Sequence, residues 1–221
     1  MTKKSTQKTS PLSPNFEISI SKETLNTLQP ARFEGEIIVV DRQEDVATAI
    51  AELRKGELIG FDTETKPSFK KGQNNYPALL QLSSNARCYL FRLCKTGVTP
   101  EIRQFLEDVY ITKIGLSIKD DFHNLNRMCK VEPQGFVELQ NYVKEFGITD
   151  ASLTKIHAIL FDRKISKGQQ LSNWEAPSLT TKQQQYAALD AFACVEIYKH
   201  LKAGKFDPAT SPYIKKEEEN S

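Results

Sequence analysis

Apolar residues come in short runs through the middle of the chain and thin out towards both ends. EIIVV (36–40) reads as a short apolar strand, and Val46, Ala49, Ile50 and Leu53 then recur at helical spacing until Gly56 ends the run. LIGFDTE (58–64) predicts a second strand. After a polar loop carrying Pro67, Gly72 and Pro77, ALLQLS (78–83) and RCYLFRL (87–93) predict two more, separated by the turn-prone pair Ser84 and Asn85. Three consecutive strands with short connections predict an antiparallel meander.

Further on, Thr99 and Pro100 supply a capping residue and a first-turn proline for a helix, and TKIGLS (112–117) follows as a strand. The pattern places helices at 119–129, 141–146 and 152–160, with a short strand near 136–139. A last long helix opens on a capping box formed by Thr180 and Gln183 and runs to Gly204. This order predicts an α/β fold in which a mixed sheet, an antiparallel meander plus parallel strands, is flanked by helices. Residues 1–30, rich in Ser, Thr, Lys and Pro, are expected to form a flexible extension, and 207–221 a flexible polar tail. Residues 31–206 then make one folded domain.

Composition narrows the function classes. With 221 residues, 39% hydrophobic and 26% charged, the chain is long enough to bury a core without disulfides or structural metal. No run approaches the roughly 18 apolar residues of a spanning helix, and no apolar stretch follows the N-terminal lysines, so no membrane partner and a cytoplasmic location are expected. Cys88, Cys94, Cys129 and Cys194 form no CxxC pair and read as reduced core thiols. A net charge of +2 excludes a strongly basic arm, so nucleic-acid contact must be local.

Three features could carry chemistry. Asp62 and Glu64 are i and i+2 on a strand, so both carboxylates project from one face of a sheet whose preceding residues are apolar. Such like charges repel and are costly to desolvate, and a divalent cation is the natural compensation. Chance supplies about 0.8 Asp-x-Glu in a chain of this composition, so a solvated strand end accounts for the pair as readily. Tyr186 and Asp190 share a helix face with Ala193, Ile197 and Leu201, the stripe expected to meet the sheet. Packing of the ring with Asp190 at the rim also explains them. Asp120 and Asp121 stand where a strand runs into a helix, a position that capping and the helix dipole account for equally.

In combination, GFDTET, IGLSIKDDFHNL and YAALDAFACVEIY resemble, in order and separation, motifs I, II and III of the DEDD superfamily of 3′–5′ exonucleases. The resemblance covers 36–203 and is closest to the tyrosine branch, which includes ribonuclease D and the Werner-type exonuclease domain; ALLQLS, CYLFRL and LSNWEAPSLT resemble its connecting segments. It implies a ribonuclease H-like fold and hydrolysis of phosphodiester bonds from the 3′ end of DNA or RNA by a two-metal mechanism. Asp62, Glu64, Asp121 and Asp190 are implied as ligands of two Mg²⁺, with Mn²⁺ substituting, and Tyr186 as a catalytic residue. The implied partner is a nucleic acid with a free single-stranded or frayed 3′ end. Thr63, Phe69 of the Lys66–Lys70–Lys71 loop, Lys167 (with Arg163 and Lys164) and Trp174 are candidate substrate contacts, although solvated loops and a buried Trp174 fit as well. His123, His157 and His200 match no family ligand. A catalytically silent binding module of the same fold and an oligoribonuclease-like enzyme for very short fragments are the competing readings.

Overall fold

A computed structural model describes residues 17–68 and 75–215. In chain order its elements begin with α1 (Lys22–Thr27), β1 (Gln29–Pro30), β2 (Glu36–Val40), α2 (Gln43–Leu53) and β3 (Leu58–Thr65). There follow β4 (Pro77–Ser83), β5 (Arg87–Phe91), α3 (Leu93–Thr96), α4 (Pro100–Leu106), β6 (Thr112–Gly115) and α5 (Ile118–Leu125). The remainder is β7 (Phe136–Glu138), α6 (Leu139–Tyr142), α7 (Leu153–Phe161), β8 (Arg163–Lys164) and α8 (Thr181–Lys202), with short 3-10 helices at Val143–Phe146 and Pro208–Thr210.

Six strands form one sheet in the order β2-β5-β4-β3-β6-β7. β3, β4 and β5 pair antiparallel, while β2 lies parallel to β5, and β6 parallel to both β3 and β7. The expected mixed, ribonuclease H-like sheet is therefore present. β4 is buried at every position, as a strand covered on both faces must be. One face packs against α2, α4 and α5 through Val46, Ile50, Phe105 and Phe122. The other is crossed by α8, whose Ala187, Ala191 and Ala193 let it lie close on the strands.

Local chemistry fixes several boundaries where the sequence pattern put them. The Thr180 side chain accepts from the Gln183 backbone N–H at 3.2 Å, and Gln183 Oε1 accepts from the Thr180 N–H at 3.0 Å, closing the capping box of α8. Thr99 caps α4 ahead of Pro100. Other boundaries move: the helix expected at 119–129 is α5, which ends four residues earlier, because Asn126 turns its side chain to accept from Val131 N–H at 2.7 Å. The strand expected at 87–93 stops at Phe91, and α3 begins at Leu93.

Residues that sequence composition assigns to loose ends are packed. Ile18 and Ile20 are fully buried, and Ile18 bridges both Ile148 and Ile214. Asp150 accepts from Ser19 Oγ and Ile20 N–H, both at 2.9 Å, so 17–20 and 211–215 close over the α7 side of the domain. Only two of the four cysteines are core thiols: Cys88 and Cys194 are buried, Cys129 is half-buried and Cys94 exposed, all free. Among the described residues, no helix is long and apolar enough to cross a membrane.

Candidate active site

β3 is the foundation of the site. Strand alternation sends Asp62 and Glu64 to the α8 face and Thr63 to the opposite one. α8 reaches Asp62 because Gly60 has no side chain: a Cβ there would lie 1.8 Å from the Ala191 carbonyl oxygen. That approach brings Asp190 beside β3, and one carboxylate oxygen from each of Asp62, Glu64 and Asp190 lies within 4.8 Å of the others.

The fourth acid comes from the other side of the sheet. β6 ends at Gly115, Ser117 adopts a left-handed conformation (φ 61°), and α5 starts at once, so Asp121 stands in its first turn. Thr63 Oγ1 donates to Asp121 Oδ1 at 2.5 Å, which ties motif II to the motif I strand. Phe122, next in sequence, stacks parallel on Phe61 with centroids 5.4 Å apart. Glu138, at the end of β7, secures the turn: its carboxylate accepts from the Ser117 N–H at 3.1 Å and the Ile118 N–H at 2.9 Å. Sequence reading does not single Glu138 out, since nothing local marks a Glu that caps a helix twenty residues earlier.

Burial holds all four acids above the ordinary carboxylate range, and repulsion from neighbouring carboxylates adds to it at Asp62, Glu64 and Asp121. Asp62 is pushed well up by burial and the Asp190 charge, and Glu64 by burial, Asp62, Asp190 and Asp121. Asp121 rises to about 8, chiefly through burial and Asp62, against the Thr63 hydrogen bond. Asp190 rises to about 7 through burial, opposed by the Tyr186 hydroxyl and the Lys167 charge. Four such carboxylates, with no Arg or Lys ion-paired to any of them among the described residues, form an oxygen-only donor set suited to a hard divalent cation. Tyr186 sits one turn before Asp190, and its phenol is pushed upward by burial and by Asp190 and Glu64, so it keeps its proton at neutral pH.

Two cavities meet at these acids. A 480 Å³ cavity holds Tyr186 and Asp190 and is walled by Leu116, Leu153 and Ile165 with Gln140, Ser152, Thr154 and Lys167. A 580 Å³ cleft holds Asp120 and Asp121 with His123, Asn124, Asn75 and Leu171. Asp62, Thr63 and Glu64 line both.

The substrate-contact candidates fare unequally. Thr63 and Lys167 line the site, but the Thr63 hydroxyl is engaged with Asp121. Phe69, Lys70 and Lys71 lie outside the described residues. Lys66 pairs with Glu175 at 3.0 Å, and Lys164 donates to the Asn26 carbonyl at 2.6 Å. Trp174 is fully buried, so its ring offers no surface to a nucleotide; it lies 6.0 Å from the Tyr186 ring as a support behind it. Buried Arg92 donates to the Trp174 and Ala176 carbonyls and holds this segment in place. His123 lines the cleft, whereas His157 donates from Nδ1 to the Arg163 carbonyl at 2.9 Å and sets Nε2 3.3 Å from Glu196, neither of them one of the four acids.

A family model described as 3′–5′ exonuclease matches residues 37–204. Over 184 residues the chain is 32% identical to the bifunctional 3′–5′ exonuclease/ATP-dependent helicase WRN of Mus musculus, an alignment covering 80% of this chain and 13% of that protein. Among solved structures, the Nibbler EXO domain of Aedes aegypti superposes with a TM-score of 0.67 at 23% identity, covering 80% of this chain and 93% of that one. RNase D of Trypanosoma brucei, in complex with RNA U12, gives 0.67 at 20% identity over 76% and 63% of the two chains. At these identities the two structures share the fold.

Proposed function

Because the chain belongs to the 3′–5′ exonuclease family, within the DEDD superfamily, we propose that it shortens DNA or RNA from a free 3′ end, single-stranded or frayed, and releases 5′-mononucleotides. The observation that carries this reading is the convergence of Asp62, Glu64 and Asp190 within 4.8 Å, with Asp121 and Tyr186 at the edges of the same cluster. Unneutralised, that cluster works against its own ionisation, a cost that a bound cation offsets with the carboxylates still charged.

Asp62, Glu64 and Asp190 would hold one Mg²⁺, and Asp62 with Asp121 a second, Mn²⁺ substituting for either. Bound there, the cations supply Lewis acidity towards the attacking water and the departing oxygen. The chain's own groups do the positioning. Tyr186, a protonated phenol beside Asp190, donates a hydrogen bond that orients the water on the Glu64–Asp190 side. Thr63 fixes Asp121 on the opposite side, where the 3′ oxygen of the shortened strand leaves. The 480 Å³ cavity, within the roughly 300–1,000 Å³ of small-ligand pockets, takes the terminal nucleotide between Leu116, Leu153 and Ile165.

The test is incubation of 5′-labelled DNA and RNA oligomers with Mg²⁺, Mn²⁺ or EDTA, with Asp62→Asn as control. A ladder shortening from the 3′ end, erased by chelator and by the substitution, is the expected result. Internal cuts, or a ladder that survives EDTA, would overturn the reading.

A further inference from the structure

The two cavities are not equivalent, and in-line displacement assigns them. An attacking water must stand opposite the leaving oxygen, and the leaving oxygen belongs to the strand that remains. Of the two, the 480 Å³ cavity is lined by Tyr186 and Asp190 and not by Asp121, whereas the 580 Å³ cleft is lined by Asp121 and by neither of the others. If water is oriented by Tyr186, the retained strand runs out past Asp121 and through the cleft.

The cleft's surroundings suit unpaired bases. Leu171 lines it and is 72% exposed, one of four large hydrophobic side chains left open among the described residues. Tyr76 is another, at 52%, and it directly follows Asn75, which also lines the cleft. The guanidinium of Arg127, just past the end of α5, sits 4.8 Å from the Tyr76 ring centroid and donates to the Asn75 carbonyl at 3.1 Å. Two exposed apolar side chains are costly to leave in water, and here Leu171 lines the cleft while Tyr76, next to the cleft residue Asn75, stands in an aromatic–guanidinium pair held by a backbone contact.

We propose that Tyr76, with Arg127 over it, and Leu171 form a stacking platform for the unpaired bases of the retained strand, upstream of the scissile bond. The placement rests on the exonuclease reading above; the platform's ligand is single-stranded nucleic acid of any sequence, because every base offers a face to stack. Duplex ends would have to fray by a few nucleotides to reach it.

Equilibrium binding of a fluorescein-labelled single-stranded 10-mer, measured by anisotropy in Ca²⁺ for the full chain, tests this together with turnover in Mg²⁺. Tyr76→Ala should weaken 10-mer binding about tenfold, within the roughly 5–150-fold expected for one lost stack, and Tyr76→Phe should restore it. In turnover, Tyr76→Ala should raise KM for the 10-mer and leave kcat, and all kinetics on a dinucleotide too short to reach the cleft, within about twofold. A 10-mer affinity unchanged by Tyr76→Ala, a dinucleotide KM that rises by the same factor, or no 10-mer binding by the wild-type chain would overturn the platform. Binding that responds to Tyr76 in a chain that never cleaves would overturn the nuclease reading and leave the platform standing.

Discussion

At the scale of single residues, the site divides into groups that meet the reacting atoms and groups that hold them. In the proposed mechanism Tyr186 belongs to the first. Its raised phenol acts as a donor at any physiological pH, so Tyr186→Phe should lower kcat about 10²-fold while Mn²⁺ affinity stays within twofold. Single-turnover rates alongside metal titration check this, and an unchanged rate would remove Tyr186 from the chemistry. Glu138 belongs to the second. Removing its carboxylate strips the partners from two backbone N–H groups in the Ser117 turn, each unmet bond costing about 1–3 kcal/mol. Glu138→Ala should therefore lower both the denaturation midpoint and kcat, and Glu138→Gln, which keeps one acceptor oxygen, should recover part of each.

Between elements, the closest constraint is α8 against β3. A methyl group at Gly60 meets the Ala191 backbone rather than a flexible side chain, so the helix must move. Gly60→Ala should cost about 1–3 kcal/mol or more by overpacking and separate Asp190 from Asp62, lowering activity beyond what the stability loss explains. Urea denaturation paired with kinetics at low temperature, where the variant stays folded, separates the two effects. This contact also shows what the sequence makes legible. β3, β4 and β5 were readable from apolar runs, α8 from its capping box, and the four acids and Tyr186 from motif order, because each signal is local. Ile18 was hidden, since its partners Ile148 and Ile214 are more than a hundred residues away, and β1 and β8 are two-residue strands with no pattern to detect. Glu138 was hidden for the same reason, and nothing local in the sequence separates an anchoring Trp174 from a nucleotide contact, a choice that its complete burial behind Tyr186 decides.

For the molecule as a whole, the acidic cluster links pH, cations and stability. A carboxyl whose folded pKa lies above its unfolded value near 4 keeps a proton that the unfolded chain has released. That contribution favours the folded state at low pH and is lost as pH rises through about 7 at Asp190 and about 8 at Asp121. Without divalent cations, the Tm should therefore fall between pH 5.5 and 8.5, and the upward shift on adding Mn²⁺ should grow over the same interval. Scanning fluorimetry across that range checks it; a cation shift independent of pH would detach the cluster from metal binding. Asp62→Asn should raise the cation-free Tm at pH 8 while abolishing turnover, because it relieves the repulsion that the active protein retains.

The most direct test of the central claim is to count cations. Mn²⁺ titration followed by electron paramagnetic resonance, with a 5′-mononucleotide present, should find two ions per wild-type chain, one in Asp121→Asn and none held tightly in Asp62→Asn. A wild-type chain that binds no Mn²⁺, or an Asp62→Asn variant that binds as the wild type does, would contradict the account.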